Sequence, residues 1–600
     1  MSIRRTLCRS AAALCLLGVG AAPAFAHGGY YQGPKTPDGV PLPTGTPGPG
    51  GPLPRGGPIT GPTYGPAVTG RKDKEPPATT PTTTSLPPAF VDPPVALTSW
   101  ERWWAVHRER FLRSEPKVLQ PLDITPSSRD PVRAEPPRAD ERVVAALRKA
   151  THDSSADVRA SAALALVRAE VPDAGADLRR LAGEDPAPDV QSVALLCLGA
   201  LGDPGSVPFL HGIVSDAKAP DSRRALAAVA LGMCGGADGA DLLAMTFDFA
   251  DERVGKASPE LQCSVLVGLG AGRRPEALPA LRAALANTGL KAVVRSCAVT
   301  GLGACGDRES IDAYVKLLLG AEEVSLRQAA ALALGRVLTI EDVTPINALL
   351  YAAKEDRDLG TQSLAVLALG GIRGAAVRDQ LLQLFAKSAD NDKPWRALAL
   401  GLQGDAAAGA TLRTAYRADD HEESLQGAYS IALGLLGDTE SRDVLVREIG
   451  RRERFWSPQY ASQAAALLHL LDAAGPVHER LVKATDPRQA AALATALCML
   501  GDERGEERMA AVVRAHESVF ATCTAAMALG TGRATASLPL LLAAASDGEQ
   551  SQYARACAVS AIGRIVEDGE VPALAELLAP QNHMLDLDVL VLARELLDKR

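Results

Sequence analysis

Asp157-Val158-Arg159-Ala160-Ser161-Ala162-Ala163-Leu164-Ala165-Leu166 contains no glycine or proline, and it sets a small residue, Ala162, four positions before a large one, Leu166. Residues four apart share one face of a helix, the small one admitting a neighbouring helix and the large one filling the space beside it. The stretch therefore predicts a helix packed closely on another helix. Its pattern returns along the chain. Indexing each return on the residue after the aliphatic one gives Val167, Gly199, Gly232, Gly270, Gly303, Gly335, Gly370, Gly401, Gly434, His469, Cys498, Gly530 and Gly563, a mean spacing of 33 residues. The residue before each index is Leu in every repeat but the last, where it is Ile562. Five positions before the index, nine of the thirteen residues are Ala.

The index Gly, or the Gly of Leu201-Gly202-Asp203, Leu436-Gly437-Asp438 and Leu500-Gly501-Asp502, is expected to end the helix in a left-handed conformation. A second helix is expected through segments such as Ser206 to Val214 and Thr535 to Leu542. Two helices per 33 residues predict an all-α solenoid of about 13–14 helix pairs spanning residues 139–600. Composition agrees: 47% of residues are hydrophobic but only 4% aromatic, so the core is built from Ala, Leu and Val, which suits closely spaced helices.

The phrase from Asp157 to Leu166 resembles the second helix of a HEAT repeat, in the short form shared with phycobilisome-lyase-like repeats. The resemblance covers residues 139–600, and exported bacterial HEAT-repeat proteins with a Pro-rich leader are similar overall. It implies a protein-binding solenoid, or alternatively a HEAT-like enzyme of the bilin-lyase or metal-dependent hydroxylase kind.

Upstream, residues 1–26 read as an export signal, with Arg4, Arg5 and Arg9 before an apolar run and Ala24-Phe25-Ala26 at the cleavage point. The paired arginines also permit the twin-arginine route. The apolar run is too short for a membrane span, so the expected location is periplasmic or secreted. Residues 27–98 hold 18 of the 42 prolines and predict a disordered linker, as does the Pro-rich stretch 114–138. Between them, residues 99–113 predict an amphipathic helix with Ser99 as N-cap and Trp100, Trp103, Trp104, Phe111 and Leu112 near one face. Open ends of solenoids need covering, so this helix is expected to cap the first repeats, with gripping a partner as the other option.

A net charge of −8 and a pI near 5.7 argue against nucleic acid as a partner, since attraction to phosphate needs a basic face. Eight positions before the index stand Arg159, Gln191, Arg224, Gln262, Arg295, Arg327, Gln362, Lys393, Gln426 and Arg555, a ladder expected to bond neighbouring repeats rather than a ligand. Asp157 and Asp189 are expected to cap the same helices. Deoxyhypusine hydroxylase, a HEAT-like enzyme, binds two irons through His-Glu pairs. The pairs here, His421-Glu422, His478-Glu479 and His516-Glu517, fall out of that register. His421 and His516, three repeats apart, are expected roughly 30 Å from each other at about 10 Å per repeat, on exposed helix starts. Eight cysteines follow the signal, and stacking at about 10 Å predicts free buried thiols even for the in-register pairs Cys263/Cys297 and Cys523/Cys557. No catalytic residue, metal-ligand set or cofactor motif is identified.

The departures from regularity are therefore the candidate site. Arg396 and Tyr429 break the Ala column, Trp395 stands beside the first, and a long connection carries Arg451, Arg452, Arg454, Phe455 and Trp456. Arg with Trp and Tyr is the composition of a protein-binding hot spot. Phe247 and Phe249, in a long step between repeats, form a weaker candidate. The expected function is a non-catalytic exported scaffold or adaptor for a protein or peptide partner, without cofactor.

Overall fold

In a computed structural model of the chain, residues 99–113 and 139–567 are described, apart from 235, 251–256 and 420–421. The predicted signal, both Pro-rich linkers and the last part of the array lie outside them. The described residues fall in one compact unit.

Every regular element among them is helical. Trp100–Arg113 is α1. Thirteen helix pairs follow, beginning with α2 (Glu141–Ala150) and α3 (Ala156–Arg168), α4 (Ala174–Glu184) and α5 (Pro188–Leu201), α6 (Val207–Ser215) and α7 (Asp221–Cys234), and α8 (Gly236–Thr246) and α9 (Pro259–Gly272). Next come α10 (Leu278–Ala286) and α11 (Ala292–Ala304), α12 (Ile311–Gly320) and α13 (Val324–Val337), α14 (Val343–Glu355) and α15 (Leu359–Gly371), and α16 (Ala375–Ala386) and α17 (Lys393–Gln403). The last five pairs are α18 (Gly409–Ala418) and α19 (Glu423–Leu436), α20 (Arg442–Ile449) and α21 (Ser457–Leu467), α22 (Ala474–Lys483) and α23 (Pro487–Met499), α24 (Glu503–Ala515) and α25 (Val519–Thr531), and α26 (Leu538–Ser546) and α27 (Gln552–Val566).

Local chemistry starts and stops these helices. Asp140 accepts a hydrogen bond from the Val143 amide at the head of α2, and Ser258, Asp358, Asp486 and Ser551 cap α9, α15, α23 and α27 in the same way, each satisfying amides that the helix leaves free. Asp157 and Asp189 do not cap: they lie in the first turns of α3 and α5, behind Ser155 and Ala187. Gly437, at φ +79°, ends α19 as the Leu-Gly-Asp pattern predicts.

The index glycines, in contrast, lie inside their helices and serve close approach. A Cβ placed on Gly303 of α11 would stand 2.6 Å from the Ala333 Cα of α13, and one on Gly199 2.7 Å from the Ala230 Cα. Nine of the ten index glycines make this contact with the residue two before the next index, and Gly434 meets Ala464 instead. At these glycines the odd-numbered helices pack backbone to backbone. They are buried almost throughout: α11 buries nine residues, whereas its partner α10 buries only Leu281 and Ala284. The odd-numbered helices form the tight layer and the even-numbered ones lie behind it with little contact to one another. Of two concentric layers the more closely spaced is the inner.

The layer has no ends. The thirteenth inner helix, α27, packs on the first, α3. A Cβ on Gly563 would meet the Ala165 Cα at 2.7 Å, the same index-to-minus-two contact found elsewhere. The solenoid is a closed ring, and the expectation of an exposed first repeat fails. Accordingly α1 caps nothing: it docks on α19 and α21, in the ninth and tenth repeats. The α27–α3 junction repeats the contact of the other glycine-bearing interfaces, so the described repeats leave no open end for a cap to cover.

Two ladders of polar side chains reinforce the ring. The first is the predicted one. Arg159 donates to Asp185 at 2.7 Å and Arg327 to Asp356 at 2.8 Å, each reaching the following repeat, and Lys393 reaches Asp419. Arg555 likewise reaches Asp153 of the first repeat, but the remaining members depart from the expectation and bond backbone carbonyls of their own repeat, as Arg224 does with Val214, Arg295 with Leu285 and Gln362 with Asp356. The second ladder has no counterpart among the sequence expectations, which treat Gly202-Asp203 and Gly437-Asp438 only as helix ends. The Asp after the helix-ending glycine accepts from an Arg of the preceding outer helix in the pairs Arg179–Asp203, Arg378–Asp405 and Arg413–Asp438, all at 2.5 Å, and Asp203 and Asp405 also cap the turn that follows them.

All eight described cysteines are free. They are free as expected, although the Cys263 and Cys297 thiols lie close enough to influence each other, as do those of Cys523 and Cys557. Glycine contacts draw neighbouring inner helices closer than ordinary helix spacing.

Candidate partner-binding site

The eight predicted residues separate into two groups. Trp395, Arg396 and Tyr429 are buried in the wall of the ring. The Tyr429 hydroxyl donates to Asp419 at 2.6 Å, and its ring packs edge-on to Phe385 of α16. Arg396 donates to the Leu384 carbonyl at 2.8 Å. Burial lowers its guanidinium from the ordinary value, with Asp392 opposing the shift. Arg396 and Tyr429 stand in the Ala column and direct their side chains against the outer helices, Arg396 onto Leu384 of α16 and Tyr429 onto Phe385 of α16 and Tyr416 of α18. Phe247 and Phe249 are likewise buried.

Arg451, Arg452, Arg454, Phe455 and Trp456 lie in the turn between α20 and α21, where Phe455 and Trp456 are 40% and 42% exposed. Their rings meet edge to face with centroids 4.6 Å apart, and the Arg488 guanidinium lies 5.9 Å from the Trp456 centroid, within range of a cation–π attraction. Neighbouring repeats hold the turn from both sides. Trp456 leads α21 without a side-chain cap. Instead the Glu423 carboxylate of α19 accepts from the Phe455, Trp456 and Ser457 amides at 3.1, 2.7 and 3.3 Å, a negative charge at the positive end of a helix. From the other side Arg480 of α22 donates to the carbonyls of Arg451, at 2.5 Å, and Arg454. Gln489 of α23 donates to the Phe455 carbonyl at 2.7 Å. Burial lowers the Arg480 guanidinium, while Glu423, Glu448 and Glu453 pull it back up. The exposed aromatic pair is thus set on a backbone fixed before any partner arrives.

Sequence reasoning found the turn and missed its supports. Glu423, Arg480 and Gln489 come from three other helices, and no local pattern marks them. A second apolar patch, with Ile340, Val343 and Tyr351 exposed, lines a groove between α14 and α16 whose floor includes the buried Val377.

Among the described residues no group of three or more His, Cys, Asp or Glu side chains converges as a metal site. His478 lies mid-helix in α22, and His516 ends α24 at φ +51°, so neither begins a helix as expected. His421 lies outside the described residues.

A family model for HEAT repeats matches residues 248–335, from the connection after α8 into α13. The chain carries HEAT repeats. No curated protein matches it in sequence. Among solved structures, human deoxyhypusine hydroxylase in complex with glycerol aligns at 16% identity over 51% of this chain and 99% of that one, with a TM-score of 0.22. A chain of the Kap95:Nup1 complex aligns at 13% identity over 71% of this chain and 66% of its own, with a TM-score of 0.35. Kap121p bound to Nup53p aligns at 13% identity over 68% of this chain, with a TM-score of 0.31. The HEAT ring spans just under two thirds of the chain from the Kap95:Nup1 complex and about half of Kap121p.

Proposed function

We propose that this HEAT ring is a non-catalytic exported scaffold that binds a protein or peptide partner through the turn carrying Phe455 and Trp456. The observation that carries the reading is the bracing of that turn. Two large aromatic side chains are left partly in water on a backbone tied by Glu423, Arg480 and Gln489. Aromatic and Arg anchors dominate binding energy, and a backbone already ordered loses little freedom when a partner docks. Export rests on the sequence of residues 1–26.

Affinity capture from the source cell envelope, with wild-type protein and a Phe455→Ala/Trp456→Ala variant, tests the first part. The expected result is a partner whose recovery falls at least tenfold with the variant at an unchanged melting temperature. Equal recovery removes the turn from the interface. N-terminal sequencing of the protein from fractionated cells tests export: a mature chain beginning at His27 outside the cytoplasm is expected, and an intact cytoplasmic Met1 would end the proposal.

A further inference from the structure

The wall of the ring already holds one helix. The Trp100 indole of α1 donates to the Ser424 hydroxyl of α19 at 2.8 Å, and Ser424 donates in turn to Glu101 at 2.7 Å. The Trp104 indole donates to the Gln463 side-chain oxygen of α21 at 2.8 Å, and the Trp100 ring packs against Tyr460 with centroids 5.0 Å apart. Indole N–H groups taken out of water need an acceptor, and the groove supplies one for Trp100 and one for Trp104 at the spacing of a single helical turn, whereas the buried Trp103 Nε1 has none.

The groove is shaped for this occupant. A Cβ on Gly427 would stand 3.0 Å from Trp100 and 2.7 Å from Tyr460. Gly427 lies seven positions before its index, where each of the other twelve repeats has a residue with a side chain. Ser424 also points away from the outer layer. Gln426 and Ser430, which bond Tyr416 of α18, lie about 120–160° round the helix from it, at 100° per residue. The groove therefore opens on the inner side of the ring.

A helix of 14 residues has little stability alone, so the order of α1 depends on this groove. We propose that the groove between α19 and α21 is a receptor for an amphipathic helix carrying two tryptophans four residues apart, and that α1 is its tethered occupant, displaceable by a partner helix of the same pattern. Tethering places α1 at a high effective concentration, so it shields the site from weak competitors. The proposal is independent of the Phe455–Trp456 turn, and its test alters neither residue.

The test uses the full chain and a fluorescent peptide of residues 99–113. Trp100→Ala/Trp104→Ala should vacate the groove, and the variant should bind the peptide at least tenfold more tightly than wild type does. Adding Gly427→Leu should abolish that binding while the circular dichroism spectrum stays unchanged. In a chain with Gly427→Leu alone, tryptophan emission should shift to the red as α1 leaves the groove. A folded double variant that binds the peptide no better than wild type, or binding that survives Gly427→Leu, overturns the proposal.

Discussion

Arg555 donates to Asp153 at 2.6 Å across 402 residues of sequence. The pair repeats, at the junction of the last and first repeats, the ladder bond that Arg159 makes with Asp185 and Arg327 with Asp356. Ion pair and glycine contact fall in one register at this seam, so it is an ordinary interface of the array.

The seam should therefore respond to mutation like any other interface. Gly563→Val places side-chain atoms where α3 already stands, and overpacking of this kind typically costs about 1–3 kcal/mol. Hydrogen exchange should quicken in α27 and α3 together. Gly303→Val should instead quicken α11 and α13. If Gly563→Val left exchange in α3 unchanged, the ring would not be closed in solution.

The buried ladder pairs should matter far more than exposed ones. Side chains of Arg327 and Asp356 are 5% and 7% exposed. Asp356→Ala leaves the guanidinium buried without its carboxylate, and breaking such pairs costs about 3–5 kcal/mol. Arg142→Ala removes a pair whose members are 85% and 45% exposed and should change stability by less than about 1 kcal/mol. Urea unfolding of the two variants makes the comparison.

Acid should unfold the ring through these same carboxylates. Burial alone would raise the Asp185 carboxyl, but hydrogen bonds from Arg159 and the Ala187 amide hold it below its ordinary 3.8. Asp307 is held down similarly by Arg282 and Ser310. A group whose folded value lies below its unfolded value contributes stability that is present above the unfolded value and lost as pH falls through the folded one. Melting temperature should be insensitive to these groups from pH 7 to about 5 and fall steeply below about pH 4. Asp185→Asn should flatten part of that fall.

The thiols should be inert in the folded protein. Burial pushes Cys234 and Cys498 up to about 12 and Cys305 to about 11, and the contacts within Cys263/Cys297 and Cys523/Cys557 raise Cys297 and Cys557. The reactive species is the thiolate. Mass spectrometry after alkylation at pH 8 should find the cysteines from Cys197 to Cys557 unlabelled in native protein and labelled in urea. Rapid native labelling of Cys297 would contradict the packing of α9 on α11.

The helix pairs were legible because Leu166 and its twelve counterparts, with Ala162 and its column, repeat a contact each interface needs. The Arg159 ladder was legible for the same reason. Closure was not, because it depends on the sum of thirteen small rotations, none of which any one repeat encodes visibly. The site divided similarly. Phe455 and Trp456 stand in an irregular connection and are exposed. Tyr429 and Arg396 occupy a column that faces neighbouring helices, so large residues there filled the wall instead of reaching its surface. The docking place of α1 was hidden by its tether, since 25 residues between Arg113 and Ala139 can reach many repeats, although a lone glycine at 427 was a usable signal.

A chain of repeats with free ends can gain or lose a unit at modest cost. A hoop cannot. Thirteen pairs share a full turn at about 28° each, and twelve would need about 30° at every junction. Removing one pair would therefore strain contacts far from the deletion, among them the Gly303–Ala333 approach, where the backbones have no slack. The number of repeats is fixed by the circumference, and evolution can lengthen this protein in its connecting turns far more readily than in its count of helices.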